Sequence, residues 1–180
     1  IGESSDTLDA FSDWETRHSQ LPGRKMGVVQ GDTVEAVIDC FKGLQRLGAD
    51  IIGVPFLIGR NFPPARATDH DLMVRRISLL SRIQDKCHEH PIHLLGVALP
   101  QEGRYSARCP WVESIDTSNP VMHGLFGTSY GYNGVEDKRP ELLADLIREE
   151  VTEAGLIRSL ENIRDFRRLW TRGPQAIIVE

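Results

Sequence analysis

The chain has 180 residues, 40% apolar and 26% charged, with a formal charge of −5; this balance fits one folded domain with a real core and excludes a disordered segment. No apolar run approaches the roughly 20 residues a bilayer helix needs, and the negative charge argues against whole-surface attraction to nucleic acid while leaving room for a local basic patch. Cys40, Cys87 and Cys109 are odd in number and form no C-x-x-C pair, so thiols in a reducing compartment are expected, not a disulfide framework or a structural zinc site.

Residues 1–6 carry neither a basic nor an apolar region, so no secretory signal is read and a cytoplasmic setting is expected. The missing initiator Met points to a chain processed or cut from a longer one. Residues 5–18, with Leu8, Phe11 and Trp14 on one stripe, read as a helix. Strand character follows at 26–30 (MGVVQ), then a helix over 33–47 with Asp32 as N-cap, Glu35 three residues on and Gly48 as the stop. A second strand is read at 50–54 (DIIGV) and a second long helix at 69–90, capped by Thr68. Residues 92–97 (IHLLGV) and 111–115 (WVESI) give two more strands, separated by 99–110, where Gly and two prolines predict a loop or a single turn. Two helices, 140–153 and 156–171, end the pattern on either side of Gly155, and an apolar scrap remains at 176–179.

The order α-β-α-β-α-β-β-α-α dictates parallel strands joined by right-handed crossovers. The first three strands are nearly continuous in apolar residues, as parallel strands covered on both faces are. Four such units make an open sheet or part of a βα barrel, since a whole eight-stranded barrel typically takes ~250 residues. Residues 1–135 are expected to hold the βα portion and a strand-tip site, and 136–180 a helical segment packed on it within the same single domain.

In parallel α/β folds the working groups lie just past the strand C-termini. Asp116 stands at such a tip, where a carboxylate can act as nucleophile or base; the plainer reading is that Asp116 and Ser118 cap the turn that Asn119-Pro120 begins. Gln30 ends the first strand with an amide able to donate and accept at a purine edge, or simply to bond nearby backbone. The run Cys87-His88-Glu89-His90, with His93 nearby, invites a metal, but successive side chains on a helix point in different directions and chelate poorly, so no metal is expected. Residues 124–134 (GLFGTSYGYNG) either cradle a phosphate with backbone N–H groups or form a surface loop. The last helix carries Arg158, Arg164, Arg167, Arg168 and Arg172 against Glu161 and Asp165, a nucleic-acid-facing stripe or a solvated face.

Taken in order, these tips resemble the C-terminal half of tRNA-guanine transglycosylases and their DNA-modifying relatives. Gly27-Val28-Val29-Gln30-Gly31 resembles the family's G-[IV]-V-Q-G strand, Leu95-Gly96-Val97 with Pro100-Gln101-Glu102 its M-G-V-G-x-P-E-D, and Ile115-Asp116-Thr117-Ser118-Asn119-Pro120 the strand bearing its catalytic Asp. The likeness spans residues 24–120. It implies a partial (β/α)8 TIM-type barrel and a glycosyltransferase that replaces guanine in nucleic acid by a 7-deazapurine. It makes Asp116 the nucleophile, with Gln30, Gly31, Val54, Pro55, Phe56 and Gly96 around the base. Gln30 and Asp116 are then expected to converge on one pocket above neighbouring strands, with Arg60, Arg66, Arg164 and Arg168 meeting the phosphates. No cofactor is implied. Pro55-Phe56 replaces the family's Gly-Gly, Val121-Met122-His123-Gly124 replaces its arginines, and its Cys-rich zinc element is absent. These departures lean toward DNA over tRNA. The missing arginines and the family's absent N-terminal half also motivate an alternative, a non-catalytic partner or nucleic-acid-binding module; the loop 124–134 gives another, an unrelated βα enzyme holding a phosphorylated small molecule. A homo-oligomer, or a separate N-terminal half-barrel, is a further expectation.

Overall fold

The computed structural model describes residues 4–59, 67–106, 109–131, 134–135 and 150–171. The first helix, α1 (Ser4–His18), lies where its apolar stripe predicts. Four strands follow with helices between: β1 (Met26–Val28), α2 (Val34–Arg46), β2 (Ile51–Pro55), α3 (Asp69–Lys86), β3 (Ile92–Leu95) and β4 (Val112–Ile115). All pair in parallel in the order β1-β2-β3-β4. Strands added successively on one side, each through a right-handed crossover, put the helices on a single face. This is the winding of consecutive units in a βα barrel.

That face carries the core. Val29, Ile52, Val54, Ile92 and Leu94 are fully buried against Val37, Phe41 and Leu44 of α2 and Met73, Leu80 and Ile83 of α3. The opposite face is less covered than the apolar runs predict: β3 alternates buried Ile92 and Leu94 with half-buried His93 and Leu95, and Met26 is 43% exposed. Gly53 sits on that side, where a Cβ would meet Leu95 at 2.9 Å and Val28 at 3.2 Å.

The helix ends follow local chemistry. Thr33, not Asp32, caps α2, its side chain accepting from the Ala36 N–H; Gly48 then ends the helix region with φ +82°. Thr68 caps α3 in a full capping box with Asp71. That helix stops at Lys86, short of the expected 69–90, with Cys87 already extended at φ −119° and ψ 164°. Segment 99–110 holds a 3-10 turn (Pro100–Glu102) and the short helix α4 (Gly103–Ser106).

Two differences follow β4. Asn119-Pro120 opens a helix, α5 (Asn119–Leu125), since Pro is at home in a first turn. The last helix, α6 (Glu153–Thr171), starts before Gly155, so that glycine lies inside it, its N–H held by the Thr152 hydroxyl. Of the helix expected over 140–153, residues 140–149 lie outside the described residues, and 150–152 are not helical. Helix α6 packs on α5 at Gly124, where a Cβ would fall 2.4 Å from Ser159 Cα. Among the described residues no helix is long and apolar enough to cross a membrane.

Candidate functional site

Asp116 follows directly on β4. Between the pairs Ile92–Val112 and His93–Ser114 the register slips, leaving Glu113 as an extra residue. Val112 packs against the core, and strict alternation from it would turn Ser114 and Asp116 to the core as well. The slip reverses their facing, an effect bulges commonly have beside functional sites. Ser114 and Asp116 thereby join His93 on the open face.

There the three side chains form a chain of hydrogen bonds. His93 Nε2 lies 3.0 Å from Asp116 Oδ1 and Nδ1 lies 2.8 Å from Ser114 Oγ. An ionised carboxylate only accepts, so Nε2 carries the hydrogen. The Gly96 N–H, 3.1 Å away, donates to the same Oδ1. Gly96 can aim it because its φ is +63°, in the left-handed region that costs other residues strain. The Asp116 side chain is 57% exposed, and among the described residues its Oδ2 takes no hydrogen bond. Asp116 is therefore held at one oxygen and open at the other, and it does not cap the turn after it; Thr117 Oγ1 instead accepts from the Asn119 N–H.

Gln30 and Asp116 do not rise from neighbouring strands. They follow β1 and β4, the two edges of the sheet, with β2 and β3 between. Continuing the observed registers nevertheless puts Gln30, Pro55, Leu95 and Asp116 in one row on the open face, a span of roughly 14 Å at the usual strand spacing. Gln30 is half-buried with no side-chain hydrogen bond among the described residues. Gly31 packs against the start of α2, where a Cβ would come 2.9 Å from the Val37 nitrogen.

Two expected pocket residues face the other way. Val54 is fully buried on the helix side, since it alternates with Pro55. Phe56 is 5% exposed, its ring under the Arg76 guanidinium at 5.0 Å. Of Val54, Pro55 and Phe56, only Pro55 shares the face of Gln30 and Asp116.

Beside Asp116 a cleft of about 610 Å³ runs along β4, walled by Pro120 and Val121 of α5 and by Ile163, Phe166, Arg167 and Trp170 of α6. Gln30 does not line it. Among the last helix's arginines, Arg167 reaches the cleft; Arg164 is exposed elsewhere on the helix and Arg168 pairs with Asp165 at 3.0 Å. Arg60 and Arg66, expected at the phosphates, lie outside the described residues, as does Arg172.

Among the described residues, several N–H donors of the loop 124–134 are already used within the chain. The N–H groups of Gly127, Thr128, Tyr130, Gly131 and Gly134 bond Gly124 O, His123 O, Asn162 Oδ1, Gly134 O and Gly131 O. Tyr130 is buried, bonded to Asn119, and burial raises its phenol pKa well above the ordinary value. No group of three or more metal-ligating side chains forms among the described residues, the Cys87–His90 run included.

Sequence reasoning weighed His93 only beside the Cys87–His90 metal candidates and missed it as a partner of Asp116; it also missed a buried ion pair. Arg76 and Glu102 are both fully buried and bonded twice, at 2.6 Å and 2.6 Å, while Arg76 Nη1 reaches Leu95 O at 2.7 Å and Val54 O at 3.2 Å. An arginine in the α3 core stripe between Met73 and Leu80 was the available signal.

The fold and site together describe a singly wound α/β protein with an oriented carboxylate at a strand tip. No family model matches the chain, and no curated protein matches it. Solved structures that match include the chloride-inhibited dihydrodipicolinate synthase of Acinetobacter baumannii complexed with pyruvate, at 11% identity and a TM-score of 0.49, covering 94% of this chain. This chain spans 63% of that one. Identity at that level speaks to neither substrate nor chemistry.

Proposed function

We propose that the chain carries the nucleophile side of a base-exchange site, in which guanine in nucleic acid, DNA more than tRNA, is replaced by a 7-deazapurine. The observation that carries the reading is Asp116, fixed at Oδ1 by Gly96 and His93 and open at Oδ2. In this reading Oδ2 attacks the sugar C1′, the C1′–N9 bond to guanine breaks with its electrons leaving on the base, which takes a proton from solvent, and the incoming base later displaces the carboxylate and gives up its own ring N–H proton. Gln30 offers donor and acceptor to a purine edge at the far end of the row, with Pro55 and Leu95 as apolar floor. Arg167 supplies charge beside Asp116, and a base inside a duplex would be extruded first. Free Cys40, Cys87 and Cys109 suit a reducing, cytoplasmic setting.

The test is incubation of the protein with DNA or tRNA and a labelled 7-deazapurine, with denaturing gels to trap an adduct. Incorporation and an adduct, both absent in Asp116→Asn, are expected. No incorporation with either nucleic acid, or the same level in Asp116→Asn, overturns the reading; nucleic-acid binding without an adduct would instead favour a non-catalytic binding module.

A further inference from the structure

At the opposite end of the sheet the last turns of α2 and α3 meet the link into β3. They enclose a recess of about 520 Å³, within the usual range for small-molecule sites. Three cations line it: Lys42 and Arg46, one turn apart on α2, and Lys86 at the end of α3. Among the described residues no carboxylate lines it and none of the three cations forms an ion pair. Asp39, whose charge is felt at Cys87, lies one turn before Lys42 and outside the lining.

Helix dipoles account for part of this, since Arg46 and Lys86 stand in last turns where cations are favoured. They do not account for Lys42, a full turn earlier, or for two like charges four residues apart, which repel on a helix. Three positive groups lining one recess, in a protein of net charge −5, lose mutual repulsion when a polyanion sits among them. The walls are fixed: the Gln45 amide donates to His88 O at 2.9 Å, pinning the link. His90 lines the recess too, and burial holds its pKa below the ordinary value, so at neutral pH it is an uncharged imidazole. Its Nε2 is buried with no hydrogen-bond partner among the described residues.

We infer that this recess binds a phosphorylated small molecule carrying at least two negative charges, with Arg46 as the two-pronged donor that matches phosphate oxygens and Lys42 and Lys86 as flanking point charges. It lies at the strand N-terminal end, away from Asp116, and stands independently of the base-exchange reading.

Inorganic pyrophosphate is the probe, titrated calorimetrically into the protein at constant ionic strength set by chloride. Saturable one-site binding is expected, weakened at least about tenfold by Lys42→Ala/Arg46→Ala and by Lys86→Ala, and unchanged by Arg164→Ala on α6. Alanine suits these helical positions, and matching circular dichroism spectra confirm that the variants fold. Absence of saturable binding, equal affinity in all variants, or heats reproduced by chloride alone would each overturn the inference.

Discussion

Asp116 owes its rotamer to two donors from the adjacent strand, and each can be removed separately. His93→Phe keeps an aromatic ring and deletes the nitrogen that holds Oδ1. If Asp116 attacks a sugar carbon, turnover should fall by up to about 100-fold with little change in KM, because misplacing a nucleophile affects the transition state more than binding; equal turnover would show that His93 is only packed there. Ser114→Ala, which removes the partner on the far nitrogen, should cost less. Gly96→Ala isolates the backbone. Nothing lies within 4 Å of the added Cβ, so the loss is conformational, about 1–2 kcal/mol in urea unfolding for a residue kept at φ +63°. None of this geometry is legible in the sequence. His93 sits in IHLLGV like a core residue, and the facing of Asp116 depends on a register slip that no periodicity reports.

Elements were more legible than contacts. Apolar runs and 3.6-residue stripes mark α1, α2, α3 and all four strands because burial imposes those periods. Thr68 was readable as a cap, while Asp32 lost that place to Thr33, whose hydroxyl reaches the Ala36 N–H. The turn read at Asn119-Pro120 hid α5, since proline in a first turn and proline after a turn look alike in one sequence. The α5–α6 joint is where an element-scale prediction is sharpest. A methyl at Gly124 meets the Ser159 Cα and nitrogen as well as its Oγ, and the backbone atoms cannot rotate away. Gly124→Ala should therefore destabilise by about 1–3 kcal/mol, as overpacking does, and widen the cleft beside Asp116; an unchanged urea midpoint would mean that α6 moves freely over α5.

At the scale of the whole molecule, His90 links stability to pH. Burial, the largest cause, lowers its pKa below the ordinary 6.5, so between the two values the unfolded chain binds more protons than the folded one and stability rises with pH. The contribution is full above about 6.5 and declines as pH falls toward the folded value. Urea midpoints should drop from pH 7 to pH 5.5, and drop less in His90→Gln; parallel curves would exclude His90 as the source. The Arg76–Glu102 pair works at the same scale, because it ties α3 and the turn after β3 to the carbonyls ending β2 and β3. A buried pair is seldom more stabilising than well-packed apolar residues, yet removing one partner strands the other. Glu102→Gln leaves the guanidinium charged in the core and should cost about 3–5 kcal/mol. Arg76→Met/Glu102→Leu should cost less than Glu102→Gln, its penalty confined to the bonds that Arg76 makes to the carbonyls of Val54 and Leu95. The carbonyl of Leu95 directly precedes the Gly96 N–H that holds Asp116. Loosening it should therefore lower any activity at Asp116 beyond what the unfolded fraction explains. Urea curves on both variants decide the matter: a single substitution near wild type would mean that the strand tips hold their places without the pair.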